Sequence, residues 1–170
     1  MHDIFTSAVP ASGYTLPDFL LKRMVLSPTH WRAFASTEKL QWQAIQFDHK
    51  NLTTVPDDQK GVYSFIIRPN IANHPECAYL MYVGMVEKQT FRERFGQYLD
   101  EQTAGEDSRR VHVTELLQKW GGYLWFCYAP IDAEERIKPM EDALLAAYLP
   151  PSNRRFPAKI KRQIAKLFSQ

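Results

Sequence analysis

The apolar positions of this chain change their period at residue 61. Upstream they are spaced for helices: Phe19, Leu20 and Leu21 within 18–26, then Trp31 and Phe34 three residues apart, then Leu40, Trp42 and Ile45. Ser27-Pro28 has the form of an N-cap followed by proline at the first helical position, where a missing N–H is not needed. Residues 61–68 are instead rich in β-branched and aromatic side chains and predict a strand. Residues 78–86 predict a second strand, antiparallel to the first across the turn-rich 69–75. Helical spacing returns with Phe91, Phe95, Tyr98 and Leu99 in 90–102, and with Val113, Leu116, Leu117 and Trp120 in 111–120, which Gly121-Gly122 ends. A strongly aromatic third strand follows over 123–131. Pro139 is expected to open a helix over 139–149, stopped by Pro150-Pro151. Residues 158–168 place Ile160, Ile164, Leu167 and Phe168 on one side of an amphipathic last helix.

From residue 61 the order is β-β-α-α-β-α plus that helix. It predicts an α+β fold with a small three-stranded antiparallel sheet flanked by helices. Residues 1–16 read as a lead-in, and the loop over 51–60 sets the expected boundary. Residues 1–55 are then a mainly helical N-terminal extension, and 56–170 the main domain with a basic C-terminal helix.

Composition narrows the function less than distribution does. Hydrophobic residues are 45% of 170, enough for a core and too many for general disorder. Lys plus Arg is 21 against 19 for Asp plus Glu, a net +2 that selects no partner. The last nineteen residues, however, hold Arg154, Arg155, Lys159, Lys161, Arg162 and Lys166 and no acid. A cationic end suits a polyanion, and a solvated helix face gives the same run. Cys77 and Cys127 form no CxxC and no Cys/His cluster, which argues against zinc and for a reducing compartment. The N-terminus does not read as a signal peptide, and no apolar stretch approaches a membrane span. The expectation is a soluble, cytoplasmic chain with no membrane partner, its oligomeric state open and a homodimer allowed.

The candidate chemistry starts with Glu141. It stands three, four and seven residues before Leu144, Leu145 and Tyr148, so its carboxylate lies within the apolar stripe of its helix. A carboxylate there must be paired or bound to a cation. The plainer account, an anion in the first helical turn favoured by the dipole, predicts an exposed side chain instead. On the strands, Tyr63 shares a face with Phe65 and Ile67, and Tyr82 with Leu80 and Gly84. A hairpin can bring both hydroxyls to one side, although most strand tyrosines simply pack. Gly84 leaves room for close approach of a backbone or phosphate. Arg92 and Arg94 flank the stripe of the 90–102 helix on opposite sides, and helical spacing does not choose between them. His74 and His112 lack partners at ligand spacing and read as surface or capping residues. Ser and Cys nucleophile motifs and glycine-rich phosphate loops are absent.

Together these residues resemble the GIY-YIG nuclease superfamily over about residues 61–157. Gly61-Val62-Tyr63 stands for the first tripeptide and Tyr82-Val83-Gly84 for the second. Phe91-Arg92-Glu93-Arg94-Phe95 is similar to the family's arginine helix and favours Arg94. Glu141, with Leu144, Leu145, Leu149, Pro150 and Asn153, is similar to its glutamate helix and closing asparagine. The resemblance implies metal-dependent hydrolysis of DNA. Glu141 would hold a single Mg²⁺ or Mn²⁺, and Tyr63 would activate or orient the water once a nearby cation lowered its pKa. Tyr82 would bond phosphate or water, Arg94 would stabilise charge on phosphorus, and Asn153 would support the site. DNA would be gripped by Arg92, Arg154, Arg155, Lys159, Lys161 and Arg162. Three positions depart from the family: Tyr98 replaces a common histidine, Met85 replaces a common lysine, and the turn with Glu87, Lys88 and Gln89 is longer. Lys88 can stand in for the lysine if that turn folds back. The alternatives are the same fold binding nucleic acid without cutting it, and a protein-interaction domain.

Overall fold

Every residue of the segment Gly61-Val62-Tyr63-Ser64-Phe65 is buried, and β2 (Gly61–Ile67) needs cover on both faces. It lies inside a four-stranded antiparallel sheet of order β1-β4-β2-β3, with β1 (Gln43–Gln46), β3 (Tyr79–Val86) and β4 (Leu124–Pro130). The computed structural model describes residues 24–35, 39–71, 74, 77–104 and 110–167. Most of the helix expected over 18–26 lies outside them, and residues 24–27 are not helical.

One face of the sheet packs against α2 (Phe91–Ala104) and α3 (Val111–Lys119), around Phe65, Phe91, Phe95, Tyr98, Leu117 and Phe126. The other packs against α4 (Glu134–Tyr148), around Val62, Val83, Ala129, Met140 and Leu144. Outside α4 lies α1 (Pro28–Ala35), whose Trp31 indole N–H donates to the Ala147 carbonyl at 2.5 Å. The result is an α+β arrangement with helices on both sides of the sheet. Among the described residues no helix is long and apolar enough to cross a membrane.

The sheet has four strands rather than the three expected. Residues 43–46 pair with β4, Ala44 opposite Cys127 and Ile45 opposite Phe126, and Gln43 accepts a hydrogen bond from the Tyr128 hydroxyl at 2.9 Å. A four-residue edge strand containing two glutamines carries almost no β pattern, so Leu40, Trp42 and Ile45 mimic a helical period. The sheet therefore begins upstream of the boundary expected at 56. A 3₁₀ helix (His49–Thr54) follows it, capped by the Asp48 carboxylate on the Lys50 N–H at 2.9 Å.

Two further departures shape the site. The β2–β3 register pairs Phe65 with Tyr82 but Ile66 with Leu80, leaving Met81 as a bulge. Tyr82 and Met81 pack with the first core and Leu80 with the second, so Leu80 does not share a face with Tyr82. And α4 starts at Glu134, with Pro139 inside it. Ala133 gives no side-chain cap to mark that start, and Pro139 is exposed, where the Glu135 carbonyl left without its N–H partner can turn to water.

Candidate functional site

The segment after α4 is steered by backbone geometry. Leu149 adopts a left-handed φ of 48° and its N–H bonds back to Leu145, which turns the chain across the edge of β3. The Ser152 N–H then reaches the carbonyl of the bulge residue Met81 at 2.9 Å. Asn153 pairs with Val83 through both ends of its amide. This closes a cleft of about 780 Å³ along the β3 edge. Tyr82 and Met85 line it from the sheet, Arg110 and His112 from the start of α3, Lys138, Glu141 and Asp142 from α4, and Asn153, Arg154 and Arg155 from the closing segment.

Glu141 lies in this cleft with its side chain only 14% exposed. Its carboxylate accepts from the Lys138 ammonium at 2.8 Å, and Lys138 also holds Asp142 at 2.7 Å. Burial works against the Lys138 charge, but the hydrogen bonds to Asp142 and Glu141 outweigh it and raise the ammonium pKa. The expectation of a shielded, cation-paired carboxylate is met, with a lysine as the cation. Glu141 and Asp142 offer oxygen donors, which suit a hard cation held by one or two carboxylates together with substrate phosphate. Among the described residues no group of three or more His, Cys, Asp or Glu could hold a metal.

The hairpin brings the two strand tyrosines to one side of the sheet, with ring centroids 6.3 Å apart, but they differ in burial. Tyr63 is 2% exposed, stacked on Phe126 with ring centroids 5.2 Å apart, and its hydroxyl bonds the Tyr98 hydroxyl at 2.7 Å. Burial pushes both phenols well above the ordinary value. The nearby Tyr82 adds to the Tyr63 shift, and Arg94 only partly offsets it. Desolvation therefore outweighs the lowering expected from Arg94. Gly84 sits opposite Tyr63, and a Cβ there would stand 2.5 Å from the phenol Cζ. The absent side chain makes room for Tyr63 itself rather than for a phosphate. Tyr82 is half-buried and faces the cleft.

The arginines are also sorted. Arg92 ties α2 to the preceding loop, donating to the carbonyls of Val55 at 2.8 Å and Thr53 at 3.0 Å and pairing with Asp57 at 2.5 Å. These bonds engage three of its five N–H donors in holding the loop. Arg94 donates to Gln97 at 3.0 Å and lies 5.9 Å from the Tyr98 ring, without lining the cleft. Arg110 stands 5.1 Å from the same ring, is paired with Glu101, and does line the cleft. His112 is held below the ordinary imidazole range by burial first, then by Arg154 and Arg110, and its Nδ1 has no hydrogen-bond partner. Neither Arg110 nor His112 stood out in the sequence, since each is brought to Glu141 only by the packing of α3. Lys88 is exposed in the turn before α2 and does not line the cleft. Lys159, Lys161 and Arg162 are exposed on α5 (Ala158–Leu167).

Comparison with protein-family models, with curated protein sequences and with solved structures finds no match for this chain.

Proposed function

We propose that the protein is a divalent-metal-dependent DNA endonuclease of the GIY-YIG type, working in the cleft beside β3. One observation carries this reading: a shielded carboxylate, a tyrosine hydroxyl and several cationic side chains converge on that cleft. Arg110, Lys138, Arg154 and Arg155 outnumber Glu141 and Asp142, so the cleft attracts an anion while keeping an acidic anchor. Glu141 would hold the single Mg²⁺ or Mn²⁺, which neutralises phosphate charge and stabilises the leaving oxygen. Arg154 grips non-bridging phosphate oxygens through paired N–H donors, and Arg110, whose Nε and one Nη are held by Glu101, adds positive charge beside them. Tyr82 orients the phosphate or the attacking water by its hydroxyl. His112, kept neutral at pH 7 by its surroundings, can take the proton from that water. Tyr63 and Tyr98 form the buried floor beneath Tyr82.

The test is incubation of purified protein with supercoiled plasmid and Mg²⁺ or Mn²⁺. The expected result is nicking that EDTA abolishes and that Glu141→Ala lowers at least a hundredfold, with DNA affinity in Ca²⁺ retained. The Lys138 ammonium on Glu141 favours a second reading, a nucleic-acid-binding domain without cutting. DNA binding by the wild-type chain with no metal-dependent nicking would establish that one.

A further inference from the structure

A second cavity, of about 590 Å³, opens at the far end of β4, where β1 and the turn after β2 meet it. Its walls are fixed by backbone bonds. The Arg68 N–H donates to the Tyr123 carbonyl at 2.8 Å, the Phe47 N–H to the Leu124 carbonyl at 2.9 Å, and the Gln46 amide to the Gly122 carbonyl at 2.9 Å. Asn70 and Gly122 stand in left-handed conformations at φ 51° and 82°, backbone that both residue types adopt readily. Arg68 lies 4.8 Å from the centre of the Trp125 ring, a preformed cation–aromatic platform. Tyr123 stands beside it, 52% exposed. Gln46 and Asn70 add amide donors and acceptors, and none of the described lining residues is acidic.

We propose that this cavity takes a single unstacked nucleobase of a DNA strand running from the cleft, its ring stacked on Tyr123 and the Arg68–Trp125 pair and its phosphate on Arg68. Flat aromatic surface, the Asn70 amide and a cation with no carboxylate among the described lining residues match a base with its phosphate, and stacking accepts any base. The strand order puts β4 two spacings from β3, roughly 10 Å across the sheet, and the register sets the cavity several residues further along the strands, so a strand of several nucleotides bridges cavity and cleft. The proposal deepens the nuclease reading and rests on it for its polymer. It makes DNA with a single-stranded end a better ligand than blunt duplex.

The experiment measures affinity of the full chain in Ca²⁺ for a fluorescein-labelled duplex with a single-stranded overhang and for its blunt counterpart. Tyr123→Ala and Arg68→Gln should each weaken overhang binding about tenfold and blunt binding less. An abasic overhang should reproduce that loss with the wild-type chain, and Tyr148→Ser, at another exposed tyrosine, should not. Equal affinity for the two ligands, or variants that lose both equally, overturns the base pocket whatever the plasmid assay shows. Absence of plasmid nicking overturns the nuclease reading, while overhang preference lost in Tyr123→Ala still upholds the pocket.

Discussion

Asn153 treats the edge of β3 as though it were a neighbouring strand: its Oδ1 accepts from the Val83 N–H at 2.9 Å and its Nδ2 donates to the Val83 carbonyl at 2.8 Å. Edge strands expose unpaired backbone groups, and this side chain satisfies two of them while fastening the closing segment of the cleft. Asn153→Ala should lower stability by about 1–3 kcal/mol, read as a fall in Tm by circular dichroism. It should also weaken DNA binding by loosening Arg154 and Arg155. An unchanged Tm removes the structural role.

The hydroxyl pair of Tyr63 and Tyr98 makes two linked predictions. Tyr63→Phe strands the Tyr98 hydroxyl in the core, costing about 1–3 kcal/mol, whereas the Tyr63→Phe/Tyr98→Phe double variant should lose less than the sum of the singles. Strict additivity in denaturant titrations would contradict the bond. The same burial sets an alkaline limit. Cys127 is pushed up to about 11 from 9.0, and both phenols rise above 10.0. Each group keeps its proton in the folded chain at a pH where the unfolded chain has lost it, so folding is favoured fully below pH about 9 and declines as pH rises. The slope approaches about 1.4 kcal/mol per pH unit for each titrating group. The double variant should flatten the decline above pH 10.

Much of this fold is readable because strong patterns meet local signals. Gly61–Ile67, Phe91–Ala104 and Leu124–Pro130 appear within two residues of expectation, since aromatic strands and a four-point helical stripe leave little choice. The edge strand Gln43–Gln46 is hidden because its pairing with β4, not its composition, makes it a strand. Pro139 misleads because its preference for helix starts is statistical, whereas Ile137 already belongs to the buried face. Within the site, the shielded Glu141 follows from spacing. The full burial of Tyr63 against Tyr98, and the entry of Arg110 and His112, depend on helix packing that no spacing encodes.

A methyl group at Gly84 would run into the Tyr63 side chain. The Tyr63 ring fills the space above Gly84, held between Phe126 and the Tyr98 hydroxyl, so it cannot swing aside cheaply. Gly84→Ala should destabilise the chain by at least about 1–3 kcal/mol, the usual penalty of overpacking. Replacing Tyr63 by the smaller leucine in that background should restore part of the loss. If Gly84→Ala melts like the wild type, the close packing of the two residues is wrong.

Arg94 and Arg110 flank the Tyr98 ring, at 5.9 and 5.1 Å, but Arg110 lines the cleft and Arg94 does not. The resemblance of 91–95 to the family's arginine helix favours Arg94 as the phosphate-stabilising cation, and the lining of the cleft favours Arg110. The two are separable. Arg110→Gln should lower plasmid nicking about a hundredfold, as removal of a preorganised charge from a developing anion does. It should also reduce the slope of log affinity against log salt by about one contact. Because Arg110 pairs with the largely shielded Glu101, Arg110→Gln also leaves that carboxylate without its cation, so rates are normalised to folded protein. Arg110→Lys keeps a charge but not the fork, and should recover affinity more than rate. Arg94→Gln should reduce nicking by less than tenfold. The reverse order, with Arg94 dominant and Arg110 affecting only stability, would return the catalytic charge to α2 and leave Arg110 as the strut between α3 and Glu101.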